Sequence, residues 1–449
     1  MATTEKTEKT GNTASPANAA NAEKRWRRRL LGDRPLAPET LMMGYGYEPR
    51  LSEGSLKEPL FQTSTFVFPS AQAGKDFFAA MQGRRKLGPD EEPGLVYSRF
   101  NNPNLEVLED RLALWDGAEA SLAFASGMAA ISTCLWAYLR PGDVVLQSQP
   151  IYGGTETLIH SILPEFGVRQ VGFEVEGGVA AMRAAAAQAK ALGRVAAVYV
   201  ETPANPTNGL VDIGEARRIA EELGAAAADG KRPPVIVDNT MLGPLYCQPL
   251  AHGADLVVTS LTKYVGGHSD VIAGGASGAK AMLAPVRRMR STLGTMCDPH
   301  TAWLLMRSLE TLKLRMTAAA EGARRVAAFL RDHPKIDNVW FLDFLPEGHP
   351  DRALHLRQNL CAGSTFSFEV KGGEAGAFAL LDRLEVIKLA VSLGGTETLA
   401  SHPASTTHSA MPPEELKRFS ITPALIRISI GVENPDDLIA DLTQALEGV

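Results

Sequence analysis

Apolar residues change their spacing along the chain, and each change marks an element. From Asn104 to Trp115 they recur at helical spacing, which predicts a helix with one buried stripe. Beyond it, short apolar runs alternate with helical stretches. Asp143-Val144-Val145-Leu146, entered from the Pro141-Gly142 turn, predicts a strand. Val195 to Val200 predicts another that ends at Glu201. Val235-Ile236-Val237 predicts one that ends at Asp238, and Leu256-Val257-Val258 one that ends at Thr259-Ser260. Ile213 to Leu223 is helical in pattern. Near-continuous apolar strands separated by helices predict an α/β domain with a mostly parallel sheet covered on both faces.

A long helical pattern from about Pro299 to Leu330 suits a bridge to a second unit. In that unit, Ser364 to Val370 and Leu425 to Ile430 alternate as half-buried strands, and Pro435 to Leu446 predicts a closing helix. Residues 25–100 have turn residues, a Gly- and Pro-containing insert from Gly83 to Gly94, and the segment Tyr97-Ser98-Arg99, and predict an irregular arm. The expected division is a disordered tail over 1–24, an arm over 25–101, a large domain over 102–314 and a smaller C-terminal α+β domain over 315–449. No fixed-period repeat is present.

The 449 residues carry 45 Lys and Arg against 51 Asp and Glu, a formal net charge of −6, and 45% are hydrophobic. This is the balance of a soluble globular protein, and it offers no basic patch for nucleic acid. Residues 1–24 lack the apolar core of a secretory signal. The basic run Arg25 to Arg29, with Trp26 inside it, is short and reads as a solvated face ahead of a docking contact. Ala120 to Leu139 is free of charge and near the length of a membrane span, but Ser121, Ser126, Gly127, Ser132 and Thr133 interrupt it. A buried loop and helix is expected there, and no membrane partner. Cys134, Cys247, Cys297 and Cys361 make no short pairing, so a reducing cytoplasm is the simplest setting. His402 and His408 lack the pattern of a zinc site, and no metal is expected.

Three strand ends carry polar residues of unusual type, where ligands collect in parallel sheets. Ser260-Leu261-Thr262-Lys263-Tyr264 follows an apolar strand, which puts Lys263 either at the surface or in a partly desolvated site. Desolvation lowers a lysine pKa and frees the amine for Schiff-base chemistry. Asp238 is either a helix cap or the partner of a cation such as a protonated pyridine nitrogen. Ser126-Gly127-Met128-Ala129 opens a helix whose free N–H groups suit a phosphate. An aldehyde-reactive Lys, a ring-pairing Asp and a phosphate cradle together ask for pyridoxal 5′-phosphate. No dinucleotide or P-loop motif competes.

These residues resemble the Cys/Met-metabolism family of pyridoxal-phosphate enzymes. The resemblance runs from about Gly44 to the C-terminus. Tyr97-Ser98-Arg99 with Asn102-Pro103, Ser126-Gly127-Met128, Tyr152-Gly153-Gly154-Thr155, and Glu201 with Asn205-Pro206-Thr207 carry it. Asp238-Asn239-Thr240, Ser260 to Tyr264, Ser392 to Gly395, His402-Pro403-Ala404 and Arg427 continue it. The resemblance implies the aminotransferase-like fold, fold type I, with residues 102–314 as the cofactor domain. It implies that Lys263 joins the cofactor aldehyde and later moves protons, that Asp238 pairs with the ring nitrogen, that Tyr152 stacks on the ring and that Asn205 bonds its 3-oxygen. Gly127, Met128, Ser260 and Thr262 would hold the phosphate, completed by Tyr97 and Arg99 from the arm of a neighbouring subunit. Arg427, whose other reading is an exposed strand face, would bind the substrate α-carboxylate with Ser392. A homo-oligomer, a tetramer built as a dimer of dimers, is implied.

The implied chemistry is γ-elimination from a γ-substituted L-amino acid, releasing ammonia and a 2-oxo acid, with Tyr152 as the acid for the leaving group. The alternatives are γ-replacement, as in a cystathionine γ-synthase or O-acylhomoserine sulfhydrylase, and a non-catalytic cofactor-binding regulatory relative. The text Glu397 to Ser405 resembles methionine γ-lyases and some sulfhydrylases. Those lyases usually carry Cys two places after the stacking Tyr, where this chain has Gly154. That difference is expected to open the pocket. With the insert Lys86 to Gly94 near the entrance, it leaves room for a larger or more polar substrate such as canavanine.

Overall fold

The computed structural model describes residues 26–88 and 94–449. The expectations for residues 1–24, for Arg25 and for residues 89–93 of the insert lie outside the described residues.

Seven strands form the large sheet: β1 (Ala120–Phe124), β2 (Val144–Gln149), β3 (Arg169–Glu174), β4 (Val195–Glu201), β5 (Val235–Asp238), β6 (Leu256–Ser260) and β7 (Gly274–Gly278). Their order is β1-β7-β6-β5-β4-β2-β3, parallel throughout except for β7, which runs antiparallel to both neighbours. Alternate residues feed two cores. Val145, Ala197, Tyr199, Ile236 and Val258 pack with the helices Gly127–Tyr138 and Lys280–Leu293 on one face. Val144, Leu146, Val198, Val200 and Val237 pack with Gly178–Leu192 and Ile213–Ala225 on the other. Burial on both sides is why these strands read as apolar runs. Each fully buried Val, Leu or Ile contributes about 1.5–3 kcal/mol.

β3 and β7 carried no usable apolar signal, and β1 lay unseparated within the charge-free stretch before its helix. The stretch Ala120–Leu139 is a strand and a helix, not a loop and a helix, with Ser126 capping the helix by accepting a hydrogen bond from Ala129 N at 3.0 Å. β7 is the sequence Gly-Gly-Ala-Ser-Gly, and its small residues serve close approach. A Cβ on Gly274 would lie 2.2 Å from Ser126 O, and one on Gly278 would lie 2.5 Å from Asp255 O.

The expected long helix is two helices, Pro299–Leu309 and Leu312–Arg331. At the break, Arg315 Nη2 takes Ser308 O at 2.9 Å and Arg315 Nη1 takes Tyr264 O at 2.8 Å. A side chain thus satisfies a carbonyl the helix would have used and ties the bridge to the segment beside Lys263. The arm holds a helix, Ala71–Met81, that its sequence did not announce.

The second sheet has five strands: β8 (Ile336–Trp340), β9 (Thr365–Val370), β10 (Lys388–Leu389), β11 (Leu399–Ser401) and β12 (Leu425–Ser429), in the order β8-β9-β12-β11-β10. β9 and β12 alternate in sequence, yet β12 is buried throughout and β9 nearly so. Their polar face does not meet water. It meets the large sheet: Ser367 Oγ donates to Pro206 O at 2.7 Å, Tyr264 Oη lies 2.9 Å from Thr365 Oγ1, and Arg427 reaches Asn205. Among the described residues no helix is long and apolar enough to cross a membrane.

Candidate active site

The carboxyl ends of β4, β5 and β6 face the polar side of β9 and β12, and the chemistry-bearing residues gather between them. Lys263 sits in the turn after β6, its N–H bonded to Ser260 O at 3.2 Å. Its Nζ donates to Ser392 Oγ at 2.8 Å. Burial, and after it the charge of Arg427, pull the Lys263 pKa from 10.5 down to about 8. The surface alternative for this lysine does not apply.

Arg427, on β12, is only 4% exposed. Its Nη2 donates to Ser392 O at 2.8 Å and its Nη1 to Asn205 Oδ1 at 3.2 Å. Ser392 therefore takes the amine on its hydroxyl and the guanidinium on its carbonyl. It does so at φ +111°, a conformation a non-glycine residue rarely adopts, which costs about 1–3 kcal/mol. Asn205 Oδ1 is committed to Arg427, so its Nδ2 hydrogens are the ones free to meet a ligand oxygen.

Asp238 is buried at the end of β5. It accepts from Thr240 N at 3.0 Å, Thr240 Oγ1 at 2.6 Å and Tyr199 Oη at 3.0 Å. All three donors are neutral, and no described cation lies within ion-pair distance. Burial raises its pKa, and the Thr240 and Tyr199 bonds oppose the rise. A buried carboxylate held only by neutral donors is the setting a protonated ring nitrogen completes. Glu201 and Asp238 are register partners on adjacent strands. Burial, and then the Asp238 charge, push the Glu201 carboxyl up to about 8.

The helix opened by Gly127 forms the other wall. A Cβ on Gly127 would lie 3.0 Å from Ser260 Cβ and 3.1 Å from Ser260 Oγ, so the helix start and the Ser260 hydroxyl share one small space. The cap uses Ala129 N, which leaves the N–H groups of Gly127 and Met128 without helical acceptors. Backbone donors and a hydroxyl at a helix N-terminus fit a phosphate. Thr262 lies in the same turn, where its Oγ1 donates to Ala273 O at 3.2 Å and accepts from Ala273 N at 3.0 Å.

Tyr152 is half exposed, with its N–H bonded to Glu201 Oε2 at 2.7 Å. Gly154 does not open the site. A Cβ there would lie 2.7 Å from Tyr152 Cε1 and 3.0 Å from Met128 Sδ, so the thioether already fills that space. Tyr97 and Arg99 stand apart from this set. The Arg99 guanidinium lies 4.5 Å from the Phe100 ring centroid and donates to Ser291 O, and neither residue hydrogen-bonds to Gly127, Ser260 or Lys263 within the chain. Two contributors carried no role in the sequence reading. Tyr199 is hidden in an apolar run. Glu201 ends a strand just as Asp238 does, and that position was its signal. Among the described residues no cluster of His, Cys, Asp and Glu is placed to hold a metal ion.

A lowered-pKa lysine, a carboxylate awaiting a cation and a phosphate-shaped helix start, at the sheet ends of an α/β domain packed on a smaller one, define a pyridoxal-phosphate enzyme of fold type I. The comparisons make the assignment specific. The family pattern of Cys/Met metabolism PLP-dependent enzymes matches residues 39–447, and the chain belongs to that family. An L-methionine γ-lyase from Pseudomonas putida is 38% identical over 410 residues, covering 91% of this chain and 96% of the relative. The solved cystathionine γ-synthase of Xanthomonas oryzae pv. oryzae superposes with a TM-score of 0.80 at 31% identity, over 92% of this chain and 98% of its own. A Campylobacter jejuni structure assigned as an O-acetylhomoserine (thiol)-lyase gives 0.80 and 31%, covers 92% of this chain and 100% of its own, and contains a pyridoxyl-lysine phosphate.

Proposed function

We propose that this enzyme catalyses γ-elimination from a γ-substituted L-amino acid. The observation that carries the reading is the convergence of Lys263 and Arg427 on Ser392, which puts a proton acceptor beside a carboxylate fork. In this reading Lys263 links to the cofactor, Asp238 pairs with its ring nitrogen and Tyr152 lies on its ring face. Asn205 Nδ2 meets its 3-oxygen, and Gly127, Met128, Ser260 and Thr262 hold its phosphate. When bound, pyridoxal phosphate supplies an aldehyde that joins the substrate amine and a ring that withdraws electrons from the adjoining carbons. Arg427 binds the substrate α-carboxylate through its fork. Lys263, with its amine partly neutral near neutrality, would take the proton from the α-carbon, deliver it to the cofactor-linked end of the bound substrate, and, neutral again, take one from the β-carbon. The Tyr152 hydroxyl gives a proton to the departing γ-substituent.

Tyr97 and Arg99 reach the phosphate of a neighbouring subunit in this account. The arm's exposed apolar residues support an oligomer, Leu51 at 83%, Leu56 at 82% and Val67 at 93% exposure, and we assign a tetramer made of two dimers. We divide the chain into the arm to 101, the cofactor domain 102–314 and the C-terminal domain 315–449. Four free cysteines suit the reducing cytoplasm.

Likeness to the γ-synthase favours a second reading, γ-replacement by a thiol. A substrate panel separates the two. Methionine, cystathionine, canavanine, O-acetylhomoserine and O-succinylhomoserine are each offered with and without cysteine, and 2-oxo acids, ammonia and replacement amino acids are measured. Keto acid and ammonia without thiol are expected. Thiol-dependent cystathionine without keto acid would overturn the lyase reading.

A further inference from the structure

The two halves of the site, the Tyr152 turn and the Arg427 fork, come from segments far apart in the chain, and nothing in their own sequences fixes their spacing. One buried side chain bonds the first directly and reaches the second through Asn205. Glu201 Oε2 accepts from Tyr152 N at 2.7 Å, and Glu201 Oε1 accepts from Asn205 N at 3.1 Å. Asn205 in turn receives Arg427 Nη1 on its Oδ1. The Glu201 N–H itself donates to Ser148 Oγ at 3.0 Å, which anchors this residue to the end of β2, the strand that leads to Tyr152.

We infer that Glu201 is a positioning residue that sets the distance between the ring-facing tyrosine and the substrate-carboxylate arginine. It acts through the backbone of Tyr152 and through Asn205. A carboxyl group suits this place because two N–H donors converge on it and each of its oxygens keeps an acceptor lone pair for one of them, ionised or not, whereas an amide would present its NH2 to one of the two. At 4% exposure, with no described cation paired to it, the group has the two N–H bonds as its main polar partners, and they oppose the rise in its pKa that burial and Asp238 cause. Two buried acids side by side, Glu201 and Asp238, are electrostatically unfavourable, which points to a geometric task at this position.

The inference rests on the active-site reading above, and its test includes measurements that need no turnover. Glu201→Gln keeps the shape but turns its amide hydrogens toward one of the two donors; Glu201→Ala removes both acceptors. Hydrogen exchange of the cofactor-free protein is followed in peptides spanning 148–158 and 201–209. Visible circular dichroism of the protein loaded with pyridoxal phosphate is recorded, with KM and kcat on whichever substrate the panel selects. Glu201→Gln is expected to exchange faster in at least one of the two peptides, to alter the cofactor dichroism, and to raise KM about tenfold or more through the loosened Arg427 fork. If Glu201→Ala does not fold, the isosteric variant still decides the matter. A variant with a lower unfolding midpoint but unchanged exchange, dichroism and KM would mean a merely structural role and would overturn the inference. Altered exchange and dichroism without any γ-elimination would uphold the positioning role while sinking the proposed reaction.

Discussion

Arg427 is placed to do two things, and one substitution separates them. Burial is the larger cause of the Lys263 drop from 10.5 to about 8, and Arg427 is the second. Removing the guanidinium charge with Arg427→Gln therefore raises the Lys263 pKa by less than half of that drop, at most about one pH unit or ~1.4 kcal/mol. The neutral fraction of the amine at pH 7.4 then falls from roughly one in five to roughly one in forty. The assay uses cofactor-free protein. Pyridoxal phosphate is added across a pH series, the adduct is trapped with borohydride, and the modified peptide is quantified by mass spectrometry. Wild type is expected to show a midpoint near 8, and the variant a midpoint displaced upward yet still well below an ordinary lysine. The same variant loses one charge-assisted fork on the substrate carboxylate, about 1.5–3 kcal/mol per bond, so KM should rise at least tenfold. A variant midpoint at or below that of wild type would refute the electrostatic argument. A midpoint near 10.4 would refute the primacy of burial.

Asp238→Asn turns its amide hydrogens toward either Thr240 or Tyr199 and removes the charge that a ring nitrogen needs, so kcat should fall on the order of a hundredfold or more, with the cofactor absorbance displaced. Mixing and refolding Arg99→Ala with Lys263→Ala should restore about a quarter of wild-type activity if Arg99 serves the neighbouring site, since half the dimers carry one intact site; no recovery would place Arg99 in its own subunit's site. Gly154→Cys puts a Cβ 2.7 Å from the Tyr152 ring, and because that ring is half exposed and able to move, cofactor affinity should weaken by about 1–3 kcal/mol while the unfolding midpoint changes little. Asp441 accepts the N–H groups of Glu385, Val386 and Ile387 and has a pKa below the usual 3.8. Its stabilisation is thus present above about pH 4 and lost as pH falls further, so the gap in denaturation midpoint between wild type and Asp441→Asn should close in acid.

What the sequence disclosed follows from where each strand lies. β4, β5 and β6 are covered on both faces, so they appear as apolar runs, and the polar residue that closes each strand, Glu201, Asp238 or Ser260, is a site residue. That single rule locates Glu201, Asp238 and, through the turn, Lys263. β7 is silent because its task is to be thin: Gly274 lets the Ser126-Gly127 turn lie against it, and no apolar pattern can encode that approach. β12 misleads because alternation is read as one face to water, whereas its polar positions Arg427 and Ser429 face another part of the same protein. Glu201 shows where such a rule stops. Its position at a strand end is readable, but its partners are backbone N–H groups, which every residue carries. The residues that supply them, Tyr152 and Asn205, attract notice for their side chains instead. A role exercised through other residues' backbones leaves no chemical type in the sequence to recognise, so it emerges only when the hydrogen bonds of each buried acid are followed to their ends.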